Sequence, residues 1–262
     1  MTNSGSLKAQ VALVTGAGRG IGRAIALEPA GRGARLLVTG RDERALGETV
    51  GEIAHAGGQA RHVAGDVRDE AHSRAAVARA MDGWGRLDVV VANAGIAGTT
   101  RMGKGDSAKA RAVVETNLLG AYYLFDAALA VMKGSGRLLA VSSVLGKFGA
   151  SGQGAYCASK AGLHGLVRAV AVEVAPRKIT CNAVCPGWVD TEMARARIAD
   201  LAIEAGKAID VMSREAREAV PIGRFVDVEE VARLVAFLCS PEADAITGQA
   251  ISICGGATVF AG

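Results

Sequence analysis

The feature that most constrains this chain is an alternation of short apolar runs with longer segments of helical periodicity. Residues 11–15 form the first apolar run, and residues 21–33 follow with apolar side chains at helical spacing. Similar runs recur at 34–39, 60–64, 87–92, 137–143, 179–184 and 250–254. Helical stretches at 42–57, 69–84, 107–133, 155–175 and 228–238 separate them. Asp42 is placed to cap the second helix at its start, and Gly57 at its end. Residues 191–219 read as charged and irregular. Strands too apolar to have a wet face, each followed by a helix, are the pattern of βαβ units. The expected fold is α/β: a single doubly wound Rossmann-type domain over residues 1–262, its seven-stranded parallel sheet flanked by helices.

Composition removes other classes. Half the residues are hydrophobic and 21% are charged, which fits a packed core and not a disordered chain. The 35 glycines have no three-residue period, so they serve turns and close backbone approaches. A net charge of +4, evenly spread, points to neither nucleic acid nor a membrane surface. No apolar run is long enough to span a bilayer, and residues 1–10 lack the apolar core of a secretory signal, so a cytoplasmic location is expected. The five cysteines suit reduced, buried thiols. Cys181 and Cys185 have neither a second cysteine pair nor a histidine beside them in sequence, so no metal site is expected.

Two motifs carry chemistry. Thr15-Gly-Ala-Gly-Arg-Gly-Ile-Gly22 lies between the first strand and the first helix. Gly16, Gly18, Gly20 and Gly22 allow a tight turn, and the helix start offers N–H groups to a pyrophosphate. An acid at the end of the second strand would hold a ribose hydroxyl, but this strand ends Thr39-Gly40-Arg41. Arg41, with Arg19 in the glycine turn, suits a 2′-phosphate, so NADP(H) is expected in preference to NAD(H). The second motif is Tyr156 with Lys160 four residues on, which puts both on one helix face. A nearby ammonium favours a phenolate, and such a tyrosine can exchange a proton with a carbonyl or alcohol oxygen.

Together with Asp66, Asn93-Ala94-Gly95, Asn117, Ser143 and Pro186-Gly187, these motifs resemble the short-chain dehydrogenase/reductases in order and spacing, from about residue 8 to 256. The resemblance implies a nicotinamide cofactor held by Thr15, Gly16, Arg19, Gly20, Ile21, Gly22, Arg41, Asp66, Val67, Asn93, Ala94, Gly95 and Lys160. Pro186, Gly187, Val189 and Thr191 would hold its carboxamide. Tyr156 would be the general acid/base, Lys160 would hold the ribose and tune Tyr156, and Ser143 would polarise the substrate carbonyl. Asn117 would hold a water behind Lys160, Asp66 would contact adenine and Asn93 would brace the central strands. A homotetramer is also implied, in keeping with a helix at 155–175 that is apolar nearly all round.

Residues 182–187, 220–224 and 254–256 are similar to ketoreductases of aromatic polyketide pathways, whose connection across residues 189–220 forms a lid over the substrate. There are departures. Ile96-Ala-Gly-Thr-Thr100 stands where those enzymes carry Pro-Gly-Gly, Ala92 replaces the usual asparagine, and residues 101–110 lack the common aromatic. Pro29 falls inside the first helix, where it should kink it. The sequence therefore reads as an NADPH-dependent ketoreductase for a 3-ketoacyl or polyketide-like carbonyl. Two alternatives are an alcohol or sugar dehydrogenase working oxidatively and a catalytically silent dinucleotide sensor.

Overall fold

A computed structural model describes residues 7–259. The first six residues of the polar N-terminal stretch lie outside it. Seven strands, β1 (Val11–Thr15), β2 (Arg35–Gly40), β3 (Gln59–Ala64), β4 (Val89–Ala92), β5 (Gly136–Val141), β6 (Ile179–Pro186) and β7 (Ala250–Ile253), form one sheet. Its order is β3-β2-β1-β4-β5-β6-β7, and every pairing is parallel. The order reverses direction between β1 and β4. That is where an open α/β sheet leaves a crevice at its strand C-termini.

The helices are α1 (Gly20–Gly31), α2 (Glu43–His55), α3 (Glu70–Trp84), α4 (Ser107–Val114), α5 (Gly120–Val131), α6 (Gly154–Val174), α7 (Glu192–Ala205), α8 (Ile209–Glu218) and α9 (Val228–Cys239). Two apolar clusters lie on opposite faces of the sheet. One joins α1, α2 and α9 to it through residues such as Ile25, Leu46 and Val235. The other joins α3, α5 and α6 through Val77, Phe125 and Leu163. Because both faces are covered, β1, β4, β5 and β6 are buried at every position, which is why their sequences do not alternate.

Caps fix several helix starts. The carboxylates of Asp42 and Asp69 accept from Ala45 N–H and Ala71 N–H. Asp227 and Glu230 form a reciprocal capping box at α9. Gly57, at φ +82°, turns the chain just beyond the end of α2.

The structure corrects the sequence reading in two places. Residues 191–219 are not irregular: most of them form the α7–α8 hairpin. Pro29 lies in the last turn of α1, and its carbonyl accepts from Arg32 N–H and Ala34 N–H, so it helps to end the helix. As a helix apolar nearly all round would require of a chain that assembles, α6 is covered within the chain on one side only. Lys160, Leu163, His164, Val167 and Val174 are buried, while Ala158, Ala161, Ala169 and Val172 form an exposed stripe.

Candidate active site

The glycine turn is shaped by what surrounds it. Gly16 and Gly20 take φ values of +67° and +54°, which only glycine adopts without strain. A Cβ on Gly22 would collide with the Gly16 carbonyl and the Asn93 amide. Asn93 locks this turn to β4. Its Nδ2 donates to the Thr15 and Gly16 carbonyls at 2.9 and 3.3 Å. The Thr15 hydroxyl accepts from Asn93 N–H and Ala94 N–H, each at 3.0 Å. The start of α1 has no side-chain cap, so its N–H groups remain for an anion. Positive-φ glycines, a bare helix start and room where a Cβ would clash together fit a dinucleotide.

The opposite end of the crevice is built by β6 and β7. Gly187 N–H donates to the Ile253 carbonyl at 3.1 Å, and a Cβ on Gly187 would press on Cys254 at 2.8 Å. Val189 bridges to Val226, and Thr191 caps α7 through Ala194 N–H. Thr191 also leans over the glycine turn, its Cγ2 within 3.6 Å of where a Gly20 Cβ would sit.

Ser143, Tyr156 and Lys160 meet between the C-terminal end of β5 and the first turns of α6. The buried Lys160 ammonium donates to the Val141 carbonyl at 2.8 Å and lies 5.6 Å from the Tyr156 ring centre. Burial lowers its pKa to about 8. Tyr156 departs from the sequence expectation: burial pushes its phenol above the usual value, and a hydrogen bond with Ser143 opposes that rise. The ammonium does not lower it. The Ser143 hydroxyl also accepts from Leu145 N–H at 3.1 Å.

Asn117 sits in a single π-helical turn, Glu115–Leu119, between α4 and α5. Its amide is fully engaged, accepting from Ile96 N–H and donating to the Ile96 carbonyl and the Ser159 hydroxyl. Gly95 lets Asn117 and Lys160 crowd together, since a Cβ there would lie 3.3 and 3.4 Å from their polar atoms.

At the adenosine end, Asp66 is tied to Arg68, which holds its carboxyl below the usual range. Val67 is buried against Gly120. Arg41 is exposed just past β2. The exposed Arg19 guanidinium bonds Glu192 of α7 at 2.9 Å.

Sequence reasoning missed several residues. Trp188 stacks on Phe225 with ring centres 5.8 Å apart, and the Arg217 guanidinium covers Phe225 at 5.3 Å. This stack ties the end of α8 to the segment after Gly187. Glu204 of α7 pairs with Arg101 and Arg197, which anchors the hairpin to the loop after β4. Such contacts join residues distant in sequence, so no local spacing announces them.

The family described as enoyl-(acyl carrier protein) reductase matches residues 16–258. A putative ketoacyl reductase of Streptomyces coelicolor is 39% identical over 260 residues, covering 94% of this chain and 96% of that protein. The chain is a short-chain dehydrogenase/reductase. A 3-oxoacyl-acyl-carrier-protein reductase of Escherichia coli is 35% identical over 253 residues, covering 96% of this chain and 98% of the relative. Among solved structures of this short-chain dehydrogenase/reductase family, a tryptophan variant of actinorhodin polyketide ketoreductase with NADPH superposes with a TM-score of 0.93. It is 36% identical, and the match covers 99% of both chains. A dehydrogenase/reductase of Sinorhizobium meliloti gives 0.88 at 32% identity, covering 97% of both. The chain is thus a carbonyl-reducing oxidoreductase of this family.

Proposed function

We propose that this enzyme is an NADPH-dependent ketoreductase acting on a 3-ketoacyl or polyketide-like carbonyl, with Tyr156 as general acid. The observation that carries the reading is the convergence of Ser143, Tyr156 and Lys160 on the crevice whose other wall is the glycine turn. Relatives named as ketoacyl reductases support the substrate class.

When bound, the dinucleotide supplies the hydride that becomes bonded to the carbonyl carbon. The glycine turn and the start of α1 would hold its pyrophosphate. Arg41 would meet its 2′-phosphate. Lys160 would hold its ribose, and the segment Pro186–Thr191 would hold its carboxamide. Ser143 donates a hydrogen bond to the substrate oxygen as negative charge develops there. Tyr156 transfers its proton to that oxygen, and its raised pKa keeps the proton in place until charge appears. Lys160, with a water that Asn117 would hold behind it, would return a proton to Tyr156.

The α7–α8 hairpin covers the substrate as a lid. The exposed stripe on α6 and a groove of about 750 Å³ lined by Met102, Leu119, Ala155 and Ala158 support assembly into a homotetramer. Free thiols at all five cysteines suit a reducing, cytoplasmic setting.

The test is parallel fluorescence titration with NADPH and NADH on the wild type and Arg41→Ala. NADPH should bind at least about tenfold tighter to the wild type, and Arg41→Ala should remove the gap. Equal or tighter binding of NADH by the wild type overturns the cofactor assignment and favours oxidation of alcohols with NAD.

A further inference from the structure

Two buried polar residues behind the reacting groups have no part in the chemistry above. They are Ser142 on the strand side and His164 on α6. The Ser142 hydroxyl lies 2.9 Å from the Lys160 carbonyl and 2.9 Å from His164 Nε2. His164 Nε2 also lies 3.3 Å from Cys185 Sγ on β6.

The directions of these bonds follow from the donors available. The Lys160 carbonyl only accepts, so the single Ser142 O–H points to it. The Ser142 oxygen must then accept from His164, which places the imidazole proton on Nε2. That N–H is shared with the Cys185 sulfur, whose thiol burial keeps protonated. Burial also disfavours an imidazolium. The cations that bear on the ring, Lys147 from the turn after β5 and Lys160 and Arg168 from α6, act in the same direction.

Lys160 is therefore gripped at both ends by consecutive residues of one strand end. Val141 takes its ammonium and Ser142 takes its backbone carbonyl. The pocket for the ring is built for it: a Cβ on Gly146 would lie 2.7 Å from His164 Cε1 and 2.8 Å from the Lys160 carbonyl. Only glycine lets that turn close over both.

We propose that His164 is a positioning residue for carbonyl reduction, acting through Ser142 to fix Lys160 and the turn of α6 that carries Tyr156. The proposal rests on the ketoreductase reading, and its test separates the two. His164→Val, Ser142→Ala, the double variant and His164→Gln are compared with the wild type, with Tm measured for each. The readouts are kcat and KM for a ketone with NADPH, the NADPH Kd, and the titration of Lys160 by NMR of 13Cε-labelled lysine. The Lys160 resonance is assigned by its absence in Lys160→Met.

His164→Val should lower kcat about tenfold while KM and Kd stay within about twofold, because misplacing reacting groups costs rate more than binding. Ser142→Ala should cost as much, and adding His164→Val to it should cost nothing more. His164→Gln, which restores an N–H donor, should recover most of the loss. Lys160 should titrate near 8 in the wild type and at least about half a pH unit higher in His164→Val, where the side chain reaches water. Unchanged kcat and Lys160 titration in His164→Val overturn the proposal. So does a double variant whose loss is the product of the single losses. A wild type that reduces no ketone overturns the ketoreductase reading instead, and the Lys160 titration then decides the role of His164.

Discussion

Tyr156 and Lys160 share one face of α6, yet burial drives their pKa values in opposite directions. Desolvation disfavours whichever form is charged, so the phenol rises and the ammonium falls to about 8. The outcome is a protonated acid beside a cation that is itself close to release. Two predictions belong to this scale. Tyr156→Phe should lower kcat by roughly 10²–10⁴-fold with NADPH affinity retained, as read by steady-state rates and fluorescence titration. Retained turnover would assign the acid elsewhere. On the proposed mechanism the reduction rate should also decline as pH rises through about 8, where Lys160 loses its proton and with it the charge that would hold the cofactor ribose. A kcat/KM profile that is flat to pH 10 would contradict this.

The residue pair was legible in the sequence because helical spacing alone places i and i+4 together. Its electrostatics were not, because desolvation depends on what packs over the pair. Similarly, Asn93 was expected to brace the central strands and does so through Thr15 and Gly16. The partnership of Arg19 with Glu192 had no local sign, since 173 positions separate the two.

At the scale of elements, β1, β2, β4, β5 and β6 announced themselves as unbroken apolar runs, and Asp42 marked a helix start. The α7–α8 hairpin did not. Its charges interleave around both helices, and α7 buries only a thin stripe of Ala194, Ile198 and Ala202. Long-range pairs such as Arg101–Glu204 and the local pair Lys207–Glu215 hold it instead. The π-helical turn at Asn117 was equally hidden, since one extra residue in a helix leaves the apolar pattern nearly intact.

The capping box of α9 yields a stability prediction. Glu230 is held at a pKa of about 2 by Arg224 and the Asp227 N–H, below its ordinary 4.5. A carboxylate depressed on folding stabilises the protein fully above its unfolded value and loses that contribution as pH falls toward its folded value. Glu230→Gln should therefore lower the urea midpoint at pH 7, and its gap from the wild type should close between pH 4.5 and about 2. A pH-independent gap would show that the ionised form contributes nothing.

At the scale of the whole molecule, the chain enters the sheet at β1, beside the central strand β4, and runs outward first to one edge and then to the other. The outer stripe of α6 lies across from the face that packs on the sheet. Ala161→Arg should break the proposed tetramer, lowering the mass seen by light scattering to that of a dimer or monomer. A wild type that is already monomeric would remove this stripe as an assembly surface.

The bond from Gly187 to Ile253 has a consequence for the history of each molecule. The first wall of the crevice is encoded near the start of the chain, at Thr15–Gly22, and its companion strand β4 ends at Ala92. The far wall waits for β7, the last strand to be synthesised. The crevice therefore stays incomplete until β7 has been made and has joined the sheet beside β6. Because a ligand stabilises only the species that binds it, a dinucleotide in this crevice would favour chains in which β7 has joined the sheet over chains that stop before it.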